Sequence, residues 1–452
     1  MPQPYELTVS QAAQEIREKK LSPVALAQDL LNRIEATDEA LKAWVTIDRE
    51  EVLTNAKQRE EEAQQGDIQG LLHGVPVGLK DIFYTAGMKT AAGSKVYADF
   101  VSAFDATSVV KIKEAGGIIL GKAVTTEFAT SDPSPTYNPW NFEHTPGGSS
   151  SGSSVAVATK TVGAALGSQT GGSTCRPAAY NGIVGLKATY GRISRYGVVP
   201  VSWSLDHVGI LVRTVEDAAL MLQVMSGEDP KDPGSSSEPV PDFLGQMAEN
   251  NKPPRIGVVT DYYSENSTPE TWAHTEEVVQ KLKAAGAEIV EIGLPDSFGS
   301  CHSAQRIVMN VECAAFHEQF HATQAEDYGP RVRSGMEMGM LVPATKYLQA
   351  MRLRRQFRLD MVQTVGQVDA LLTPATPAPA PKDRNTTGDA SFQVPWTTSG
   401  LPTVTLPSGL SEGGMPLAVQ LGGLPFQEGK LLGVSKWCET ALGIRLTPPN
   451  YG

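Results

Sequence analysis

A chain of 452 residues, 40% of them hydrophobic and 43 of them glycine, can bury a substantial core and still make many tight turns, as one large unit or as two domains. Its net charge of −12, with both signs mixed along the sequence, argues against a polyanion-binding surface, so no nucleic-acid partner is expected. The opening MPQPYELTVSQAAQEIREKK lacks the basic start and apolar run of a secretory signal, and no apolar stretch is long enough to span a bilayer, which predicts a cytoplasmic protein without a membrane partner.

Thr8, followed three residues later by Gln11, predicts a capping box and a first helix. Ser22 ahead of Pro23, with Leu26, Leu30, Leu31 and Ile34 at helical spacing, predicts a second, within an N-terminal helical stretch over about 5–65. In GVPVGLKDIF the alternation of Val75, Val77 and Leu79 predicts a half-buried strand that delivers Lys80 to a sheet edge or mouth. VVKIKEAGGIILGKA reads as a helix stopped by Gly116 and Gly117, then a short buried strand from Ile118 to Leu120. Between about Ser226 and Pro254 proline, serine, glycine and acids dominate, which predicts a surface connection. PPRIGVVTDYY and AAGAEIVEI follow as strands around a helix carrying Val278, Val279 and Leu282. VDALLTPATPAPAPKD couples a buried strand to a rigid proline loop, in preference to a PxxP ligand, and SGLPTVTLPSG and MPLAVQLGG add two more strands. The alternation indicates α/β architecture.

Two glycine–serine segments, TPGGSSSGSSVAVATK and GSQTGGSTCRPAAYNG, carry the chemistry. Alone, the first resembles a flexible linker, but Val155, Val157 and the later VGAALG continue it at once as buried backbone. Glycines let backbone amides approach a ligand closely, and successive amides turned to one side suit a tetrahedral oxyanion; Thr170, Gly171 and Gly172 are placed for this beside Ser173. A serine nucleophile needs a base within hydrogen-bond reach, and neither segment holds a histidine. A lysine can serve instead once burial disfavours its charge.

Together these blocks resemble the amidase signature family over nearly the whole chain. The resemblance rests on GVPVGLKDIF around Lys80, GGSSSGSS around Ser149, QTGGSTCRPAAYNGIVGLKATYGR around Ser173, and the later DALLTPATPAPAP and GLPTVTLP. It implies one amidase-signature domain over 1–452, with a central mixed β-sheet flanked by α-helices on both faces, a catalytic core at about 70–215 and a remaining α/β part at about 255–445. It further implies Ser173 as acyl-forming nucleophile, Ser149 as a bridging serine on a cis peptide bond, and Lys80 as terminal base. Backbone amides of Thr170, Gly171, Gly172 and Ser173 would form the oxyanion hole, with no metal or organic cofactor. The expected partners are water and a small amide or carbamate, hydrolysed by a free-standing enzyme for which a homodimer is allowed. The alternative inside the same resemblance is the glutamine-hydrolysing subunit of a tRNA-dependent amidotransferase; Cys175 and the lack of a recognisable adaptation for a partner favour the free enzyme. The family often has aspartate where Gln169 stands and arginine where Cys175 stands, so weaker support of the nucleophile loop is expected. Tyr137, Trp140 and Trp203 are aromatic candidates for the substrate pocket.

Three other motifs compete. GSSSG matches G-x-S-x-G at Ser150, with Asp206 and His207 as triad partners, but the turn-like YNPWNFEHTP precedes it where an elbow needs a strand. HEQFH, His317 to His321, matches a zinc motif with Glu318 as base, yet no third ligand is recognisable and a packing helix explains it. GGIILGKA approaches a phosphate loop, but Ala123 stands where a hydroxyl would bind magnesium. Cys175, Cys301, Cys313 and Cys438 lack a CxxC pair and are expected to be reduced and buried.

Overall fold

The computed structural model describes residues 3–249 and 252–452. The first two residues of the stretch read for a signal, and Asn250 and Asn251 of the predicted surface connection, lie outside the described residues. The N-terminal capping box forms as expected: the Gln11 amide donates to Thr8 Oγ1 at 3.2 Å and the Thr8 amide to Gln11 Oε1 at 3.0 Å, opening the helix Val9–Arg17. Ser22 caps the helix Pro23–Leu41, which buries Leu26, Leu30, Leu31 and Ile34, and the helix Arg49–Gln65 follows.

Among the described residues eleven strands share one sheet. In chain order they are β1 (Trp44–Thr46), β2 (Pro76–Lys80), β3 (Ile118–Ala123), β4 (Ala164–Gln169), β5 (Val184–Lys187) and β6 (His207–Val212). There follow β7 (Arg255–Val258), β8 (Glu288–Glu291), β9 (Ala370–Pro374), β10 (Thr403–Leu410) and β11 (Pro416–Gly422). Their spatial order is β1-β3-β2-β4-β6-β5-β10-β11-β9-β7-β8. The sheet is mixed: β3, β2 and β4 run parallel, as do β9, β7 and β8, while the central pairs from β4 to β9 are antiparallel.

Strand β2 departs from the expectation. All five of its residues are buried, not half of them, and it lies between β3 and β4, so of the two places expected for Lys80 the sheet edge is excluded, while Lys80 does end the strand. The apparent alternation of valine and leucine arises because Pro76, Gly78 and Lys80 occupy the other face, which is covered as fully; a strand of a parallel segment is buried on both faces. Strand β3 is also longer than predicted, running on to Ala123. The predicted connection after Ser226 contains the helix Phe243–Glu249, whose buried Phe243 packs near Val215–Met225 and Glu428–Leu442. It is pinned further by an Arg195–Asp232 ion pair at 2.6 Å.

Two short helices position the site. Ser151–Ala158 packs against β2 and β4, and Cys175–Asn181 lies beside it against β5, β10 and β11. Both are wholly buried, so the glycine–serine segments are interior backbone, as read from their apolar continuation. A separate helical layer consists of Cys301–Gln324 packed on Pro330–Met340 and on Ala344–Val365.

Candidate active site

Lys80 ends β2 with its side chain completely buried. Its Nζ donates to Ser149 Oγ at 2.6 Å and to Ser168 Oγ at 2.8 Å. Burial holds the ammonium well below the usual lysine range, against the opposing pull of the Asp206 charge. Neither hydroxyl partner carries a compensating charge. An amine in this setting can exist uncharged at neutral pH and accept a proton from the hydroxyl it touches.

Ser149 stands at the turn into the helix Ser151–Ala158, and the Gly148–Ser149 peptide bond is cis. Gly147 just before it adopts φ +79°, where a Cβ would sit 2.9 Å from the Pro177 backbone, so a side chain there is excluded on both counts. The Ser149 carbonyl accepts from the Thr126 amide at 3.2 Å.

Ser173 lies on the loop joining β4 to the helix Cys175–Asn181, and the carbonyls of this loop are all claimed. Thr170 O accepts from Gln305 Nε2 at 3.1 Å, Gly171 O from Thr397 Oγ1 at 2.7 Å, Gly172 O from the Arg176 amide at 2.9 Å and Ser173 O from the Ser150 amide at 3.3 Å. The amides of Gly171, Gly172 and Ser173 donate no backbone hydrogen bond among the described residues. Fixed carbonyls with unclaimed amides are the arrangement an oxyanion site needs. At Gly172 a Cβ would fall 2.7 Å from Gln393 Oε1, so the loop admits no larger residue without moving that side chain.

The expected weakening of the nucleophile loop at Gln169 and Cys175 does not occur. Gln169 Oε1 accepts from the amides of Thr174 at 3.0 Å and Cys175 at 2.9 Å, while its Nε2 donates to Thr397 Oγ1 at 3.1 Å. A neutral amide thus supplies the acceptor that a carboxylate would, and adds a donor. Arg176, one residue later than the family pattern, ties the two glycine–serine loops together. Its guanidinium donates to Gly148 O at 2.7 Å, Gly388 O at 2.6 Å and Thr387 Oγ1 at 3.1 Å. Cys175 is a buried free thiol 3.8 Å from Thr403 Oγ1, with burial pushing its pKa up, the opposite of an activated thiolate.

Above Ser173 opens a cavity of about 360 Å³. The 170–173 loop and Arg176 line one side. Gln305, Arg306, Met309 and Cys313 of the helix Cys301–Gln324, with Arg331 and Val332, form another, and residues 387–390 close a third. None of the three aromatic candidates reaches it. Tyr137 lies under the Arg384 guanidinium at 3.5 Å, Trp140 donates to Asn181 O at 3.1 Å, and Trp203 lines a different cavity with Asp206 and His207. Sequence proximity to a motif did not imply proximity in space.

Comparison with known proteins agrees with this arrangement. A profile of the amidase family matches residues 25–432. The chain belongs to the amidase family. It is 37% identical to a glutamyl-tRNA(Gln) amidotransferase subunit of Geobacter metallireducens, over 95% of this chain and 96% of that protein. It is 36% identical to the protein of the same name from Carboxydothermus hydrogenoformans, over the same shares. Among solved structures it resembles the native peptide amidase from Stenotrophomonas maltophilia, with 28% identity, a TM-score of 0.85 and 99% of each chain covered. It also resembles a chain of a vestigial protein complex studied for the origins of an s-triazine catabolic enzyme, with 29% identity, a TM-score of 0.90, and 97% and 99% covered. Carbon–nitrogen bond hydrolysis is the activity these similarities indicate.

Residues of the competing motifs have other employment in this amidase fold. Ser150 Oγ accepts from the Ser168 amide at 3.2 Å, and His207 bonds Leu205 O at 2.6 Å through Nδ1, with burial pushing its pKa well down. Asp206 instead accepts from Thr170 Oγ1 at 2.5 Å and from the amides of Val201 and Ser202, and burial raises its pKa to about 6. His317 meets Tyr328 Oη at 3.1 Å and His321 meets Glu337 at 3.4 Å, so the two rings of HEQFH engage separate neighbours. Lys122 of the phosphate-loop candidate lies inside β3 and donates to Thr90 Oγ1 at 2.8 Å and to Phe83 O. Sequence reading gave Asp206 only the role of a triad partner and missed Ser168, Gln305 and Thr397. No spacing signal marks them, because each reaches the site through strand register or a helix far along the chain. Among the described residues no helix is long and apolar enough to cross a membrane.

Proposed function

We propose that this chain releases ammonia from the side-chain amide of glutamine, as the hydrolytic subunit of an amidotransferase, through an acyl-enzyme on Ser173. The observation that carries the chemistry is the buried Lys80 amine 2.6 Å from Ser149 Oγ. Neutral Lys80 accepts the Ser149 proton as Ser149 takes that of Ser173, whose oxygen attacks the amide carbonyl. Amides of the Thr170–Ser173 loop hold the oxyanion. Its collapse breaks the carbon–nitrogen bond, the relay returns the proton to the leaving nitrogen, and water then cleaves the ester by the same path in reverse. The residues call for no metal or organic cofactor, and the one shared sheet supports treating 1–452 as a single domain.

The choice of glutamine reverses the preference drawn from sequence. It is supported by the two amidotransferase subunits, 37% and 36% identical over 95% of the chain. The exclusion of nucleic acid on net charge is withdrawn with it, because a partner protein can hold the tRNA whatever the charge of this chain. Cytoplasmic residence fits the same reading. A free-standing amidase acting on small amides remains the second reading, favoured by the likeness to the peptide amidase.

The test is ammonia release from glutamine by the chain alone and with copurifying proteins, alongside peptide-amide, aryl-amide and carbamate substrates. Glutamine turnover that rises with a partner and vanishes in Ser173→Ala is expected. Efficient hydrolysis of the other amides by the isolated chain, with none of glutamine, returns the assignment to a free amidase. Undiminished turnover in Ser173→Ala overturns the chemistry itself.

A further inference from the structure

A second cavity, of about 360 Å³, shares no lining residue with the one above Ser173. Ala158, which ends the helix entered from Ser149, lines it, as do Lys160 two residues on and Gly182, which caps the helix entered from Ser173. Helices of eight and seven residues are about 10–12 Å long, so this cavity lies a helix length away from the reacting serines. Arg213, just past the end of β6, and Arg445, beyond the helix Glu428–Leu442, bring two more cations to its wall.

The three cations differ in what already occupies them. The Arg213 guanidinium donates to Tyr5 O at 3.2 Å, to Glu6 O at 3.3 Å and to Leu7 O, so it holds residues 5–7 against the sheet. Lys160 and Arg445 make no hydrogen bond and no ion pair among the described residues. Lys160 is nevertheless fixed in place: its backbone takes φ +58° and its amide donates to Val157 O at 3.1 Å. The two acids of the lining are engaged elsewhere. Glu6 accepts from the Gln3 amide at 2.8 Å, and Glu439 accepts from the Val215 amide at 3.0 Å and from Lys436 at 2.9 Å.

Burial and then the Arg213 charge push the Lys160 ammonium below its usual range; Glu6 opposes them and Arg33 adds to them. Like charges are thus gathered at one cavity of a chain whose net charge is −12, and none of the three is bonded to a carboxylate among the described residues. Their mutual repulsion is relieved by a bound anion. We infer that Lys160, Arg213 and Arg445 form a binding site for a phosphate-bearing anion, free phosphate or a phosphate monoester, separate from the hydrolytic site. An ammonium and a guanidinium arriving from different segments can each take a different oxygen of a tetrahedral dianion, while Arg213 adds its charge from the wall. The volume falls within the range of small-molecule sites, about 300–1,000 Å³, so the organic part of a monoester is admitted too. The site stands whichever amide is hydrolysed at Ser173.

Titration calorimetry on the full-length protein tests it, with inorganic phosphate, adenosine 5′-monophosphate and acetate as probes and ionic strength held at about 150 mM with sodium chloride. Phosphate is expected to bind at least about tenfold more tightly than acetate. A monoester that binds more tightly than phosphate identifies a monoester as the occupant, and one that binds no better identifies free phosphate; both outcomes uphold the site. Lys160→Asn removes the charge with a residue that tolerates the left-handed backbone, and Arg445→Gln changes an exposed side chain. Together they are expected to weaken phosphate at least about tenfold. Thermal unfolding without ligand separates a folding defect from a binding one, and Arg445→Gln alone should still weaken phosphate about threefold. Arg306→Gln with Arg331→Gln, in the cavity above Ser173, should leave the affinity unchanged. Absence of binding, equal affinity for acetate and phosphate, an affinity unmoved by the Lys160 and Arg445 variants, or loss of binding in the Arg306 and Arg331 variant overturns the site.

Discussion

Replacing Gln169 by leucine removes the polar hub under the nucleophile loop while conserving volume. The side chain is fully buried, and the change deletes three hydrogen bonds, at 2.9, 3.0 and 3.1 Å. Two buried amides, those of Thr174 and Cys175, lose their acceptor without gaining access to water. An orphaned buried donor costs about 1–3 kcal/mol, so the pair predicts a destabilisation of about 2–6 kcal/mol. Thr397 keeps its bond to Gly171 O, so the loop should loosen at the 173–175 end first. A displacement of about 1 Å there lowers kcat on the order of a hundredfold. Urea denaturation followed by far-UV circular dichroism measures the first effect, and amide hydrolysis below the unfolding transition measures the second. Gln169→Glu, which retains an acceptor for both amides, should recover much of the lost stability. A leucine variant within about 0.5 kcal/mol of the parent, with unchanged kcat, refutes the account of how the loop is held.

Lys80→Met should lower kcat/KM for amide hydrolysis by about 10²–10⁴, the usual range for losing a positioned base, while the protein stays folded because a buried amine gives way to a thioether; activity within tenfold of the parent in an ammonia-release assay would remove lysine from the mechanism. Asp206→Asn deletes the negative charge that favours protonated Lys80, so Lys80 should lose its proton at lower pH and the rising limb of the kcat/KM profile should move toward acid; a limb that moves toward base contradicts the coupling. Asp206 itself has a folded pKa of about 6 against 3.8 unfolded, so the native state binds the extra proton in that window. Its contribution to stability is therefore greatest at low pH and is lost as pH rises through the window, and urea titrations in the parent and Asp206→Asn should differ in slope there. Cys175 should resist iodoacetamide in the native protein and react in urea; rapid native alkylation, read by mass spectrometry, would contradict its burial. His321→Ala should leave hydrolysis within about twofold of the parent, since its ring meets Glu337 and Tyr328 and does not line the cavity above Ser173.

Much of this arrangement was legible in the linear sequence, for reasons that differ by element. The helices Val9–Arg17 and Pro23–Leu41 carry their own capping residues and apolar stripes, so local chemistry defines them. The glycine–serine segments were readable as interior backbone because valine and alanine follow at once. Strand β2 was misjudged because period-two alternation is ambiguous when the intervening positions are proline, glycine and a lysine that is itself buried. Ser168 illustrates the harder case. It meets Lys80 only because β2 and β4 run side by side with Leu79 opposite Leu166, and register between strands 88 residues apart leaves no mark in either segment. Gln305 and Thr397 reach the nucleophile loop from helices whose own patterns describe packing, so their second role could be found only in three dimensions.

The walls of the cavity above Ser173 come from separate stretches of chain. Lys80 belongs to the interior sheet and Ser149 and Ser173 to the loops that enter its two buried helices, whereas Gln305, Arg306 and Arg331 of the cavity wall belong to the outer helical layer. Substitutions in the outer layer can therefore alter which amide is admitted without disturbing the interior bonds that hold the reacting groups. That division gives lineages a short route to new substrates: the surface helices can drift under selection while the interior stays constrained by its packing. It also tells an engineer where to randomise, on the exposed positions of 305–335, and where to leave the sequence alone.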